Sequence, residues 1–386
     1  MVSRRRLAPG SIASLRTANQ QRVLDVLRAG VEATHTQAEI AHLTGLAPAT
    51  VSNIVRQFAA AGLVDTESGS GRRGSSVRLS RGAGLVGGVD VGHSHIAVAV
   101  GDLTGQLLGE MRAPLDQNHR FDETLTTARQ MLDHLVGEDG HIGELRCVGL
   151  GIPAPVARER VHAGAILPGW EDIDVRAAVG EVLGLPVVIE NDANLGALAE
   201  HRHGVAQGHE SSVFVKVSSG VGAGIIIDNQ IFSGSDGTAG ELGHLTLDEQ
   251  GPTCRCGSRG CLEAYISVGN LLAMTSGQLP GADLDAVVQA AQDGNVAAHR
   301  AFEDAGLHLG WGIAGVVNLL NPEVVVVGGD MARAGDLLLA STRIGLRRHA
   351  LDTVAMTPLL ASELGERASI VGAVLLAAET VELRAD

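Results

Sequence analysis

Residues 240–263 read GELGHLTLDEQGPTCRCGSRGCLE and combine a histidine, several thiols and carboxylates in one short stretch. His244 is followed, ten positions later, by three cysteines within eight residues. They are Cys254, Cys256 and Cys261. One imidazole and three thiolates can close a tetrahedron around Zn²⁺ with no open position. A disulfide or a set of unrelated thiols is the alternative, although a Cys-x-Cys pair bridges poorly. The spacing therefore favours a structural zinc site, and we call the loop that carries the thiols the cysteine knuckle.

The same stretch resembles the signature of the ROK family, because GELGH is followed by the pattern C-x-C-G-x-x-G-C-L-E. That family contains sugar kinases and sugar-responsive transcriptional repressors. The resemblance implies that the histidine of GELGH, here His244, binds zinc with one ring nitrogen and a sugar hydroxyl with the other. It also implies that Glu241 and Glu263 hold further sugar hydroxyls.

A second part of the resemblance is the tetrapeptide NDAN, which follows the predicted strand PVVIE. The ROK kinases place their catalytic base at the aspartate of this motif, here Asp192, and the preceding Asn191 would contact the same sugar. An Asn or Asp before an apolar helix is also a routine helix cap, so a purely structural role is the alternative. The resemblance thus implies a monosaccharide site of five side chains. They are Asn191, Asp192, Glu241, His244 and Glu263.

The composition is typical of a soluble globular protein with two or three domains. The chain has 386 residues, 45% of them hydrophobic, without an apolar run near the length of a membrane span. The basic amino terminus has no apolar stretch of the secretory type. Four cysteines, three of them in the knuckle, suit a reducing compartment. We therefore expect a cytoplasmic protein without a membrane partner.

The charge is distributed unevenly along the chain. Residues 1–81 contain 11 Arg and 5 Asp and Glu, a net charge of +6, while the remainder carries −21. A basic head on an acidic body indicates that the head alone meets a polyanion. An ordinary solvated face with a loose tail is the alternative, and charge alone does not decide between the two.

The basic head also has the pattern of a helix-turn-helix. Apolar residues at helical spacing predict a first helix over residues 19–29. Thr36 and Glu39 form a capping box for a short second helix, and Pro48 opens a third one after a glycine-containing turn. This order resembles the helix-turn-helix of bacterial repressors.

The sequence after the third helix predicts a wing, because GLVDTES and SSVRLS read as two strands around the loop GSGRRG. A winged helix-turn-helix in a basic head predicts binding to operator DNA. The candidate contacts to base edges are Ala49, Thr50, Ser52 and Asn53. The candidate contacts to phosphate or to the minor groove are Arg56, Arg72 and Arg73. A three-helix packing module without DNA contact is the alternative.

A glycine-rich joint at residues 80–84 separates the head from an apolar body. In the body, the order strand, glycine turn, strand, hairpin, strand occurs in residues 85–114 and again in residues 213–234. The repeat predicts a duplicated α/β fold with a cleft between two lobes, and the ROK resemblance names this the actin-like ATPase architecture.

The predicted fold class is therefore α/β, with a winged helix-turn-helix ahead of a two-lobed actin-like body. We expect the domain boundary between a head of residues 1–81 and a body of residues 82–386. The first lobe would contain residues 82–200 and the terminal helix 369–386, and the second lobe, with the knuckle, residues 201–368.

Phosphoryl transfer from ATP would need glycine turns that approach the phosphates closely. The candidate nucleotide-binding residues are Asp90, Gly92, Ser219, Gly220, Gly222, Gly328 and Gly329. Two glycines after a strand are weak evidence, since any tight strand-to-helix turn uses them. The first turn departs from the D-x-G-G-T of ROK kinases, because His93 replaces a glycine. A side chain there would restrict φ and occupy phosphate space, so ATP binding is doubtful. A histidine donating to a phosphate is the alternative, so the departure weakens the kinase hypothesis without removing it.

We therefore predict a sugar-responsive DNA-binding regulator, a repressor of carbohydrate-uptake or catabolic genes, with an unphosphorylated monosaccharide as effector and Zn²⁺ as structural cofactor. The alternative is an ATP-dependent, glucokinase-like sugar kinase with Asp192 as base and an appended DNA-binding head. A homodimer or homotetramer would place two heads on a palindromic operator, which would keep the protein at the nucleoid while bound.

Overall fold

The computed structural model describes residues 12–28, 34–67, 75–80, 82–116, 119–137, 144–157, 160–161, 170 and 173–381. The tip of the predicted wing, with Arg72 and Arg73, lies outside these residues. The described chain forms a small amino-terminal head and a larger body built on two five-stranded sheets. In the described part of the chain, no helix is long and apolar enough to cross a membrane.

The head consists of three helices and a three-stranded antiparallel sheet of order β1-β3-β2. Its elements are α1 (Ile12–Arg28), β1 (His35–Thr36), α2 (Gln37–Thr44), α3 (Pro48–Ala60), β2 (Val64–Glu67) and β3 (Ser76–Leu79). The two predicted wing strands are β2 and β3, and β1 is a third strand that the prediction missed. The first helix begins seven residues earlier than predicted, and Arg16 Nη2 donates to Gln57 Oε1 of α3 at 3.1 Å.

The local signals of the helix-turn-helix are present as predicted. Thr36 Oγ1 accepts from the Glu39 N–H at 3.2 Å, and the Glu39 carboxylate accepts from the Thr36 N–H at 2.7 Å. Gly45 ends α2 with φ 67°, a left-handed conformation that favours glycine, and Pro48 begins α3. Helix α3 packs its apolar face inward, since Phe58 is fully buried.

The first sheet of the body has the order β10-β7-β4-β5-β6. Its strands are β4 (Leu85–Val91), β5 (His95–Asp102), β6 (Leu107–Pro114), β7 (Leu145–Ile152) and β10 (Val187–Asn191), and β8 (Val156–Ala157) and β9 (Arg160–Val161) form a separate hairpin. Strands β4, β5 and β6 are antiparallel, whereas β4, β7 and β10 are parallel. Helices α4 (Phe121–Val136) and α5 (Val175–Leu183) cover one face of this sheet.

The second sheet repeats this plan with the order β13-β12-β11-β14-β15. Its strands are β11 (Ser212–Val217), β12 (Val221–Ile227), β13 (Gln230–Ile231), β14 (Val324–Gly328) and β15 (Leu359–Ala361). Again three strands are antiparallel and the remaining connections are parallel. The predicted duplication is therefore confirmed, with β11 in the place of β4.

The remaining helices surround the second sheet and join it to the first. They are α6 (Asp192–His203), α7 (Glu263–Ile266), α8 (Val268–Thr275), α9 (Leu284–Gln292), α10 (Val296–Leu320), α11 (Asp336–His349) and α12 (Ala368–Thr380). As predicted, the terminal apolar helix α12 packs on the first sheet, where a Cβ on Gly149 would lie 2.0 Å from the Ala373 carbonyl oxygen. Helices α12 and α6 approach equally closely, because a Cβ on Gly372 would lie 2.0 Å from the Leu195 carbonyl oxygen.

Candidate functional site

A cleft lies between the two sheets, at the ends of β4, β10, β11 and β14. Its volume is about 1010 Å³ including the solvent-filled mouth. All five side chains that the sequence predicts for a sugar site line it, although they come from segments as far apart as Asn191 and Glu263. Because strand ends from both sheets meet here, the duplicated fold creates the cleft.

Glu241 and His244 face each other on a short 3₁₀ turn, with His244 Nε2 3.8 Å from Glu241 Oε2. Burial raises the pKa of Glu241, and the neighbouring His244 opposes this rise. A sugar hydroxyl between the two groups could donate to the carboxylate and accept from the imidazole. The pair is thus suited to hold a hydroxyl by both of its hydrogen-bonding functions.

Asn191 is the amino-terminal cap of α6, because its Oδ1 accepts from the N–H groups of Ala193 at 2.9 Å and Asn194 at 3.2 Å. Its Nδ2 donates to the Ala154 carbonyl oxygen at 3.3 Å. The capping role considered from the sequence is therefore present for Asn191. Asp192, the first residue of α6, instead points its carboxylate into the cleft.

Lys216 pairs with Asp192 and is not among the site residues predicted from the sequence. Its Nζ lies 2.7 Å from Asp192 Oδ2 and donates to Ser369 Oγ at 3.0 Å. Lys216 is the only lysine among the 386 residues and interrupts an apolar strand, VFVKV. A lone lysine in a buried strand is a signal that could have drawn attention to it, since buried lysines are paired.

Arg255, which lies between two cysteines of the knuckle, is a second cation that is not among the predicted site residues. Its Nε lies 2.7 Å from Glu263 Oε1, and its Nη2 donates to Glu263 Oε2 at 3.0 Å. The Val221 N–H also donates to Glu263 Oε2 at 3.0 Å. A carboxylate has about four acceptor positions, so these bonds leave Glu263 about one for a sugar hydroxyl.

The side chains of the cysteine knuckle and His244 converge on one point. The candidate ligand atoms of His244, Cys254, Cys256 and Cys261 all lie within 4.8 Å of one another. Cys256 Sγ and Cys261 Sγ are 3.7 Å apart, too far for a disulfide, and all four cysteines of the chain are free. Thiolates at about 2.3 Å from one tetrahedral zinc ion would be about 3.8 Å apart, which matches this separation. The arrangement removes the disulfide alternative.

The backbone of the knuckle depends on glycine. Gly260 has φ 63°, and a Cβ there would lie 1.6 Å from the Asp248 carbonyl oxygen.

Burial raises the pKa of Cys254 to about 12, while a backbone hydrogen bond from Ser258 lowers the pKa of Cys256. A cation bound to the buried thiols would therefore have to displace protons.

Most of the candidate nucleotide-binding residues also line the cleft. They are Asp90, Gly92, Ser219, Gly220, Gly222 and Gly329. Gly328 does not, because it packs against the ring of Phe214. His93 lies at the cleft without a positive φ, so the strain expected from its sequence position is absent and only its ring opposes a phosphate. Burial lowers the pKa of His93, which favours a neutral ring.

The candidate DNA-contacting residues of α3 lie on its outer face. Ala49, Asn53 and Arg56 are exposed, and Thr50 and Ser52 are half-buried. Arg56 Nη1 donates to Asn53 Oδ1 at 3.2 Å. The helix therefore presents a polar surface with one cation to solvent, as a recognition helix requires.

The fold and the site define the class of this protein: the chain belongs to the ROK family, whose sequence profile matches residues 86–380. The MarR family profile matches residues 16–74 of the head. The chain is 29% identical to the xylose repressor of Bacillus subtilis (strain 168) over 344 residues, which cover 87% of this chain and 89% of the repressor. It is 31% identical to the glucokinase of Streptomyces coelicolor over 321 residues, 77% of this chain and 98% of that enzyme.

Two solved structures show the same relationship. A ROK family glucokinase from Streptomyces griseus in complex with glucose and AMPPNP has a TM-score of 0.68 at 30% identity and covers 76% of this chain and 99% of its own. A ROK family transcriptional regulator, a homologue of the E. coli MLC protein, has a TM-score of 0.79 at 23% identity and covers 94% and 96%. The second likeness concerns the fold, which extends over head and body together.

Proposed function

We propose that this chain is a sugar-responsive DNA-binding repressor, whose head binds operator DNA and whose cleft binds the effector. The observation that carries the proposal is the presence, in one chain, of a winged head and a hydroxyl-binding cleft. The similarity to a xylose repressor extends over 87% of the chain, compared with 77% for a glucokinase, and this difference supports a regulator. The genes it represses would serve carbohydrate uptake or catabolism.

Zn²⁺ is the cofactor that we propose for the cysteine knuckle, held by three thiolates and an imidazole. His244 Nδ1 lies 3.8 Å from Cys254 Sγ, so this ring nitrogen faces the knuckle and Nε2 faces the cleft. With Nδ1 on a metal, Nε2 carries the hydrogen and donates to a sugar oxygen. The metal would thus fix the tautomer and the orientation of a sugar-binding residue.

The effector that we propose is an unphosphorylated monosaccharide, because carboxylates outnumber cations around the cleft. Its carboxylates are Asp90, Asp192, Glu241, Glu263, Asp330 and Glu366. Its lysine and arginines are Lys216, Arg112 and Arg255. Carboxylates accept hydrogen bonds from hydroxyls but repel a phosphate monoester. Neutral sugars should therefore bind more tightly than their 6-phosphates.

The geometry of the base position argues against a sugar kinase. Asp192 would have to accept a proton from the sugar hydroxyl, but Lys216 Nζ already occupies one of its oxygens at 2.7 Å. The ring of His93 occupies space beside the first glycine turn, where a phosphate would approach. Both features support a cleft that binds sugar without phosphorylating it.

The domain organisation and the assembly that we propose follow from the same reasoning. The head would be residues 1–81 and the body residues 82–386, since β3 ends at Leu79 and β4 begins at Leu85. A homodimer or homotetramer in the cytoplasm would place two heads on a palindromic operator. Sugar bound between the lobes would change the spacing of the heads and weaken operator binding.

A thermal-shift screen of neutral monosaccharides, followed by titration of operator DNA with and without the best ligand, tests the function. Glu241→Gln should abolish most of the sugar-induced rise in melting temperature, because a neutral amide replaces an acceptor in the cleft. The control is Glu249→Gln, which changes an exposed glutamate eight positions later and should leave the rise unchanged. Operator affinity that does not change at saturating sugar would show that the cleft and the head are not coupled.

ATP-dependent turnover of the same sugar is the matching enzymatic measurement. Kinases typically turn over at about 1 to 100 per second, and we expect a rate far below this range. A rate within the range would favour a kinase with a DNA-binding head, and tighter binding of the 6-phosphate would contradict the proposed effector class.

A further inference from the structure

Lys216 has an unusual position for the only lysine of the chain. It is the next-to-last residue of β11, and its neighbours Val215 and Val217 point into the core of the second lobe. Because side chains alternate along a strand, Lys216 points the other way, toward α6 and α12. Its side chain is 18% exposed, so nearly all of it lies within the cleft wall.

The ammonium group of Lys216 joins the two lobes. Nζ donates to Asp192 Oδ2 at 2.7 Å and to Ser369 Oγ at 3.0 Å. Asp192 directly follows β10 of the first sheet, and Ser369 belongs to α12, which packs on that sheet. Burial lowers the pKa of Lys216, but Asp192, Asp90 and Asp330 outweigh burial and raise it. The lysine therefore remains an ammonium ion. The three carboxylates that stabilise its charge are those of Asp90 at the end of β4, Asp192 at the start of α6 and Asp330 after β14.

Asp90 shows why a cation is needed at this point. It is 2% exposed, and within the described residues its Oδ1 has no hydrogen-bond partner. The other oxygen, Oδ2, lies 3.7 Å from His95 Nε2, which is too long for a hydrogen bond. A buried carboxylate oxygen without a donor is destabilising unless a positive charge is near. Burial raises the pKa of Asp90, but positive charges lower it, first Lys216 from the opposite lobe and then His95 and Arg112.

We propose that the Lys216 ammonium is a tethered cation that fills the place where this cleft would otherwise gather a divalent metal ion and the phosphates of a nucleotide. Mg²⁺ is usually held by one or two carboxylates together with substrate phosphates. Here Asp90 and Asp192 face a lysine instead, which is fixed to the chain and cannot be exchanged. Lys216 is thus the residue that restricts the cleft to uncharged sugars. This role rests on the proposed function, since it takes a sugar as the ligand of the cleft.

A lysine can also bind phosphate directly, and the surroundings of Lys216 argue against that role. Two of its three N–H donors are used by Asp192 and Ser369. The ammonium together with the carboxylates of Asp90, Asp192 and Asp330 carries a net charge of −2, which repels phosphate. The ammonium therefore offsets part of the negative charge of the protein's own carboxylates.

Binding of Mn²⁺, followed by electron paramagnetic resonance of the free ion, tests the proposal. Lys216→Met removes the charge and keeps most of the side-chain volume, so we expect one Mn²⁺ per chain, at least tenfold tighter than in the wild type. Adding Asp90→Asn to that variant should reverse the gain. The cysteine knuckle will not interfere, because Mn²⁺ prefers oxygen ligands to thiolates.

Arg112→Met is the matched control, since Arg112 lines the same cleft and pairs with Glu366. If general loss of positive charge attracts Mn²⁺, both variants will gain affinity equally. That result would overturn the proposal, and so would equal Mn²⁺ affinity of the wild type and Lys216→Met. Weaker pyrophosphate binding by Lys216→Met than by the wild type would instead identify Lys216 as a phosphate ligand.

A measurement on the unaltered protein decides the question if Lys216→Met fails to fold. Selective ¹⁵N-lysine labelling gives a single side-chain signal, because the chain has one lysine. We expect this signal to stay sharp when equimolar Mn²⁺ is added. Strong broadening would place the metal beside Lys216 and overturn the inference. Neither measurement uses DNA or sugar, so the outcome is independent of whether the chain is a repressor.

Discussion

The contact between the head and the end of α12 allows a quantitative prediction about Arg28. This last residue of α1 is 8% exposed, and its guanidinium donates to the carbonyl oxygens of Glu379 at 3.3 Å and Val381 at 2.9 Å. Carbonyls at a helix end lack partners within the helix and attract cations. At the other end of α12, Ser369 contacts Lys216 in the cleft. At 1.5 Å per residue, Ser369 and Glu379 are about 15 Å apart along the helix.

We expect Arg28→Met to weaken the docking of the head by about 2 kcal/mol. A hydrogen bond from a charged donor contributes about 1.5 to 3 kcal/mol, and the 3.3 Å bond lies at the weak end. Methionine avoids the cost of burying a guanidinium, which reduces the loss from the sum of two bonds. A change of about 2 kcal/mol corresponds to about 30-fold in the docking equilibrium.

Hydrogen exchange followed by mass spectrometry measures this effect on the intact chain. Peptides from α1 in Arg28→Met should exchange about 30-fold faster, whereas peptides from α10 and α11 should be unchanged. Arg22→Met is the control, because Arg22 is an exposed arginine on the same helix. Equal protection of α1 in the two variants would refute the assignment of the docking energy to the Arg28 bonds.

Three further predictions concern the metal, pH and DNA. We expect metal analysis to find about one Zn²⁺ per chain in the wild type and to find it lost in Cys261→Ser, because four ligands close the site. Full retention of zinc in the variant would reject the knuckle as the site. Burial raises the pKa of Glu190 above its unfolded value, so ionisation of this carboxyl destabilises the fold as pH rises. At pH 8, Glu190→Gln should therefore unfold at a higher urea concentration than the wild type. This difference in urea midpoint should shrink toward pH 5. Arg56→Met should lower the salt dependence of operator binding by about one unit in the log-log slope for each bound head, whereas an unchanged slope would exclude a phosphate contact.

Much of the fold follows from local signals. The capping box of Thr36 and Glu39, the left-handed Gly45 and the proline at the start of α3 each act within a few residues, so the sequence predicts the helix-turn-helix. The duplicated body is predicted for a similar reason, because each copy repeats the same order of strands and turns. The start of α1 is not predicted, since the largely polar stretch RTANQQR, residues 16–22, interrupts the apolar pattern of the helix.

Some residues of the candidate site could likewise be predicted from local sequence, and others could not. The four possible metal ligands could be predicted, because a thiol set on one short loop has few other arrangements. The ion pair between Arg255 and Glu263 could not, although the two residues are only eight positions apart. Which side chain a carboxylate meets depends on how the knuckle folds over the second lobe, and spacing alone does not specify this.

The sequence by itself determined the class of fold, the possible metal ligands and four of the six carboxylates that line the cleft, because those signals are short-range and chemical. Only the tertiary structure decided what the cleft contains at its centre. Lys216 comes within 2.7 Å of Asp192 and 3.0 Å of Ser369, a residue 153 positions later in the chain. These groups meet because the two sheets face each other at their strand ends, and long-range topology of that kind leaves no periodic pattern in the sequence.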